Sequence, residues 1–270
     1  MPSLLECLNL RRLVDVLYDI QEVRMRTENR LRQMPKETQM KTPLRAYEDQ
    51  LTLRVEGLLA QHPIYTEFLY NVKGIGPRLS GSLIAQTMIR FEKCSKEQLT
   101  NYSEEQRSLA MKTENSDYRV PILRGIEAFP TVSKYWAWCG LDVREGHAPK
   151  RKYGESIDWN PKMRTLAWKI GKQFVIQGER YRMLYDAEKI RLTATRLPLG
   201  FCPHYDECKA KLKNRSEPAC KGHIDAMARR KTVKLFLSHV WEKWRELEGL
   251  PIRQPYALEY LGHTTKEEPA

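Results

Sequence analysis

Apolar residues recur at helical spacing from Leu4 to about Met34, at Leu10, Leu13, Leu17, Ile20, Val23 and Leu31, with Arg and Glu on the opposite face. The stretch MPKETQMKTP breaks this pattern. A second helix is predicted from Leu44 to Ala60, striped by Leu44, Tyr47, Leu51, Val55, Leu58 and Leu59. Two amphipathic helices joined by a short polar link predict an antiparallel hairpin over residues 1–62. Its stripes can be covered within the monomer or by a second copy in a coiled coil, which would make the protein a homodimer.

A third helix is expected after Gln61-His62-Pro63, ending in LYNVKGIGPRLSGSLIAQT, where a Gly-rich turn separates two apolar stretches. Residues 91–120 are polar and charged, with helical propensity but little core, and are expected to form an insertion or arm. The apolar, aromatic segment ILRGIEAFPTVSKYWAWCGLDV follows, with a degenerate second hairpin unit conceivable over Pro130–Gly140. VREGHAPKRKYGESIDWN then lacks a period and predicts a loop or short β excursion. One long basic helix is expected from Pro161 to about Thr195, with Met163, Leu166, Ile170, Phe174 and Ile176 inward. A last one runs from His223 to Leu247, burying Met227, Val233, Phe236, Leu237, Val240 and Trp244 and stopping at Gly249-Leu250-Pro251. The fold class is therefore mainly α, in three segments: a helical hairpin (1–62), a helix-hairpin-helix core (63–196) and a C-terminal region (197–270).

Charge gives this helical protein a direction. With 46 Lys+Arg against 34 Asp+Glu the net charge is +12, which attracts polyanions, nucleic acid first among them. No run of about 18 apolar residues exists and the first residues lack the features of a signal peptide, so we expect a cytoplasmic protein away from membranes.

Val72-Lys73-Gly74-Ile75-Gly76-Pro77-Arg78 carries the G-I-G core of a helix-hairpin-helix. Glycine at Gly74 and Gly76 lets the chain turn where a Cβ would clash, and Ile75 can tuck between the helices. Pro77 suits the first turn of the next helix, whose free amides can hold a phosphate oxygen beside Lys73 and Arg78. Such a motif grips backbone and is indifferent to base sequence. The competing view is an ordinary tight turn between core helices. Further basic candidates are Lys150, Arg151 and Lys152 in the loop, and Arg229 and Arg230 on the last helix.

Cys202, Cys208, Cys220 and His223, with His204 as alternate, crowd into one segment, whereas Cys7, Cys94 and Cys139 are scattered among apolar neighbours. Cys220 and His223 have the two-residue gap at which a turn and a helix start present two ligands to one ion, and Cys202 with Cys208 can close the other side. A tetrahedral, structural zinc site is the expectation, because four ligands leave no open position; buried thiols without metal are the alternative. The dense cations of this region, Lys209, Lys211, Lys213, Arg215, Lys221, Arg229, Arg230, Lys231 and Lys234, face only Glu217 and Asp225 in sequence. They make either a second phosphate contact or a solvated helix face.

The order of segments resembles the C-terminal transposase region of the insertion-sequence transposases and bridge recombinases of the 110 type. After the coiled-coil hairpin come HPIYTEFLY, the glycine hairpin VKGIGPRLSGSLIA, the aromatic and Gly-Leu segment FPTVSKYWAWCGLDV, a basic loop and the helix NPKMRTLAWKIGKQF, over roughly residues 40–180. The resemblance implies DNA as partner and recombination as context. Two departures matter. The family's enzymes begin with a nuclease-like α/β domain bearing four acidic residues, and this sequence starts at the coiled coil. The family's nucleophilic serine precedes a glycine shortly after the Gly-Leu segment, where this chain has Glu145-Gly146; the nearest serine is Ser156, a displaced nucleophile or a helix-capping loop residue. The expectation is a DNA-binding relative without self-sufficient catalysis. Its alternatives are a recombinase or structure-specific nuclease acting with a partner nuclease domain, and an RNA-binding or assembly protein in which Tyr135, Trp136, Trp138, Tyr153 and Trp159 stack on bases instead of packing a core.

Overall fold

A computed structural model describes residues 2–34, 43–144, 148–151, 153–154, 156–196 and 221–252. The described chain is mainly helical, with one small antiparallel sheet. It forms two compact units, residues 1–70 with 76–128, and 71–75 with 129–270. No helix among the described residues is long and apolar enough to cross a membrane.

In the first unit, α1 (Leu4–Leu31) opens on a capping box in which Ser3 accepts from the Glu6 amide and the Glu6 side chain accepts from Ser3. It packs on α2 (Leu44–Leu59), and both pack on α4 (Pro77–Met88), which buries part of the two stripes within the unit and leaves Val23 of the first stripe exposed. Leu10, Val14, Leu17, Val55 and Leu59 are buried there. The stripe of α2 differs from the expected one at one position: Tyr47 is exposed and Glu48 is buried. The carboxylate of Glu48 tolerates burial because Arg24 of α1 donates to it at 2.5 Å and Arg78 of α4 donates to its other oxygen. One carboxylate thus ties three helices together.

Residues 91–120, expected as a coreless insertion or arm, contribute instead to a three-stranded sheet. Strand β1 (Ile89–Cys94) pairs with β3 (Tyr118–Leu123), and β2 (Met111–Lys112) lies on the other side of β3. The short α5 (Glu104–Ser108) connects them. Buried Arg11 of α1 anchors this sheet by donating to the Ile89 carbonyl and to Gln86 Oε1, with its guanidinium 4.7 Å from the centre of the Phe91 ring.

The second unit is built on α6 (Val132–Trp138), α7 (Pro161–Gln177), α8 (Glu179–Arg196) and α9 (Lys221–Leu247). The single helix expected over 161–195 is two, because Gly178 takes φ +88°, a conformation a helix does not continue through. Ile176, expected inward, is exposed; the seam is filled two residues earlier by Phe174. Phe174 stacks on Tyr181 at 4.5 Å, and both meet Phe236 of α9 edge-on. Phe174 and Phe236 are fully buried and contribute roughly 1.5–3 kcal/mol each. The aromatic segment is fixed onto α9 by two indole bonds: Trp136 Nε1 donates to the Lys234 carbonyl and Trp241 Nε1 donates to the Phe129 carbonyl. At Gly249 the amides of residues 249 and 250 bond back to Glu246 and Arg245, which ends α9.

Candidate nucleic-acid interface

The glycine turn is approached by a five-residue helix, α3 (Pro63–Glu67), and a 3-10 turn (Leu69–Asn71), a shorter entry than the sequence predicts. Within 71–75, the Ile75 amide donates to the Val72 carbonyl and Ile75 is buried. Gly74 has φ +88° and a Cβ there would lie 3.3 Å from Gln177, so this position requires glycine. Gly76 does not. Its backbone is extended (φ −76°, ψ 178°) and nothing lies within 4 Å of where its Cβ would be, so the clash expected at this glycine is absent.

Gly76 is the N-cap of α4 and Pro77 its first residue, with no side chain capping the end. The amides of Leu79 and Ser80 turn back onto the Gly76 carbonyl. Lys73 forms an ion pair with Glu179 at 3.0 Å, both side chains more than half exposed; such a pair is worth about 0–1 kcal/mol and is readily exchanged for another anion. Arg78 has a structural duty through Glu48, with its side chain 36% exposed.

In the second unit Lys150 and Arg151 are exposed, while Lys152 lies outside the described residues. The buried Pro149 just before them is held by Arg164 of α7, whose Nη1 donates to the Pro149 carbonyl. Arg229 pairs with Asp225 at 2.5 Å. Arg230 donates to the Asp142 backbone carbonyl at 2.7 Å. Burial, and then the charge of Arg164, holds the Arg230 guanidinium below its ordinary pKa. Burial likewise lowers that of Arg164. Arg164, Arg229, Arg230 and His223 line one cleft of about 360 Å³ between α7 and α9, together with Trp168. The sequence had marked Arg229 and Arg230 but neither Arg164 nor Trp168.

The basic face around α9 carries more acid than its local sequence shows. Glu188 of α8 accepts from Lys231 at 2.8 Å and from Arg191. Of the proposed metal ligands only His223 is described; Cys202, His204, Cys208 and Cys220 lie outside the described residues. Cys7, Cys94 and Cys139 are buried free thiols, and burial pushes Cys7 up to about 12. Ser156 is exposed in the loop before α7, whose end is capped by Asn160 accepting from the amides of Lys162 and Met163. The suggested capping role of Ser156 therefore belongs to Asn160. Of the aromatics weighed for base stacking, Tyr135 is fully buried, Trp136 is bonded to α9 with Lys234 over its ring, and Trp159 lies beneath Arg164, while Tyr153 is fully exposed.

No family model matches the chain, and neither a curated protein nor a solved structure matches it.

Proposed function

We propose that the protein binds DNA by its backbone, as a relative of the insertion-sequence transposases of the 110 type, with the glycine turn as a helix-hairpin-helix contact. The observation that carries this reading is the start of α4: a helix end without a side-chain cap, preceded by an N-cap glycine with open space around it. The helix dipole and unused amides there favour an anion, and Lys73 is close in the chain with only an exposed partner to give up. The net charge of +12 supplies long-range attraction. Lys150 and Arg151 are further phosphate contacts, and the basic segment before α9 is proposed to be shaped by a structural zinc on Cys202, Cys208, Cys220 and His223. A second copy is proposed to cover the outer faces of α1 and α2, where Val23, Met25, Tyr47 and Leu53 are exposed.

A binding and cleavage panel over duplex, single-stranded and four-way DNA, with RNA of the same sequence, tests this function. Duplex or branched DNA held without cleavage and in preference to RNA is the expected result. Preference for RNA would overturn it. A covalent protein–DNA adduct that disappears in Ser156→Ala would replace it with a recombinase.

A further inference from the structure

The cleft between α7 and α9 has a composition that the backbone-binding reading does not use. Its floor is apolar, made by Leu141, Ala167 and Val233, each 6% exposed or less. It narrows at Gly171, where a Cβ would stand 2.9 Å from Val233. Arg164 and Trp168 are one helical turn apart on α7, and Arg229, Arg230 and His223 face them from α9. Trp168 is a large apolar side chain left 56% exposed at the wall of this cleft, with Lys172 4.6 Å from its ring centre.

The charges do not cancel among the described residues. Asp225 is held by Arg229 and Tyr185, and the one carboxylate of Asp142, bonded to Arg144 at 2.7 Å, also acts by its charge on Arg164 and Arg230, so it is shared among three guanidiniums. Arg164 and Arg230 are left with neutral backbone carbonyls as hydrogen-bond partners, close enough for each other's charge to be felt. Two half-buried guanidiniums in that state gain from an anion with several acceptor oxygens, since each retains N–H donors for it. A carboxylate would satisfy one fork; a phosphate has the oxygens for both. An exposed indole beside them offers a planar face of the kind on which nucleobases stack. The volume suits a ligand of nucleotide size and is too small for a duplex.

We infer that this cleft is a binding site for a nucleoside phosphate, with the phosphate on Arg164 and Arg230 and the base on Trp168. The unit bound is either a free nucleotide or one nucleotide of an unpaired strand. The site does not rest on the hairpin's contact with DNA, which lies on other residues.

The test is a calorimetric titration of the full chain with adenosine 5′-monophosphate, adenosine and inorganic phosphate, and separately with a short oligothymidylate. The monophosphate is expected to bind at least tenfold more tightly than adenosine or phosphate. Arg230→Gln and Arg164→Gln should each weaken it about tenfold. Trp168→Ala, an exposed position that leaves the fold intact by circular dichroism, should reduce the monophosphate to the affinity of phosphate alone. Oligothymidylate binding weakened in Trp168→Ala identifies a strand unit as the natural occupant, and unchanged oligothymidylate binding identifies a free nucleotide. The inference is overturned if the monophosphate binds no better than phosphate, or if folded Trp168→Ala binds it as the parent does. Absence of duplex binding by the parent protein, or duplex binding unchanged in the hairpin variant Gly76→Asp, with monophosphate binding intact would count against the proposed function alone.

Discussion

Placing a carboxylate at Gly76 separates a phosphate contact from a mere turn. The backbone there is extended, as an N-cap requires, and open around the Cβ position, so Gly76→Asp folds without strain and its side chain caps α4. Relative to glycine this changes stability by only a few tenths of a kcal/mol, in the favourable direction. The same carboxylate occupies the anion position. It forfeits a charge-assisted hydrogen bond of about 1.5–3 kcal/mol and adds repulsion of about 1 kcal/mol between charges some 4 Å apart in water-like surroundings. The sum, about 2.5–4 kcal/mol, is roughly two to three decades in Kd. Gly76→Ser caps without charge and should lose only the first contribution. Gly74→Ala is the structural control: with φ +88° and Gln177 in the way, it should cost about 1–3 kcal/mol of stability. Fluorescence anisotropy on a labelled duplex, paired with urea unfolding, gives both quantities. If Gly76→Asp keeps parental stability and parental affinity, the turn is only structural and holds no phosphate.

Three further outcomes follow from the packing and from the proposed metal. Because Glu48 is buried between Arg24 and Arg78, Arg78→Ala should lower unfolding free energy by about 1–3 kcal/mol whatever it does to DNA binding; an unchanged urea midpoint would show that the three-helix tie is not formed. Glu188 is pushed up by burial, but its bonds from Arg191 and Lys231 outweigh this and lower its pKa. Its stabilising contribution is full above the unfolded value of about 4.3 and is lost as pH falls through the lower folded value, so Glu188→Gln should flatten the acid side of the stability profile, and a superimposable profile would contradict the pairing. Elemental analysis of chelator-free protein should find one zinc per chain, and Cys220→Ser should lower the melting temperature; protein free of metal, or an unmoved transition, removes the zinc site.

The helix spans were legible because a 3.6-residue apolar period is a local signal, and α1, α2 and α9 begin and end within a few residues of where that period places them. Glu48 was not, since a buried carboxylate is compatible with the core only through guanidiniums from two other helices, and periodicity counts it as surface. Strands β1 and β3 carry alternation in IRFEKC and YRVPIL, but their partners are separated by a long polar stretch that reads as loop. Gly178 was a visible break in a run otherwise favourable to helix. The cleft depends on which face of α7 meets α9. Trp168 gave one hint, as an aromatic residue off the inward stripe of Met163, Leu166, Ile170 and Phe174, whereas the partnership of Arg164 with Arg230 has no local signature.

Whether this chain holds nucleic-acid backbone is decided by the salt dependence of its affinity for two duplexes of unrelated sequence. Log K should fall linearly with log salt, with the same slope for both duplexes and a loss of about 0.9 in slope for each phosphate contact removed. Absence of binding at low salt, or an affinity that does not change with salt, would contradict it.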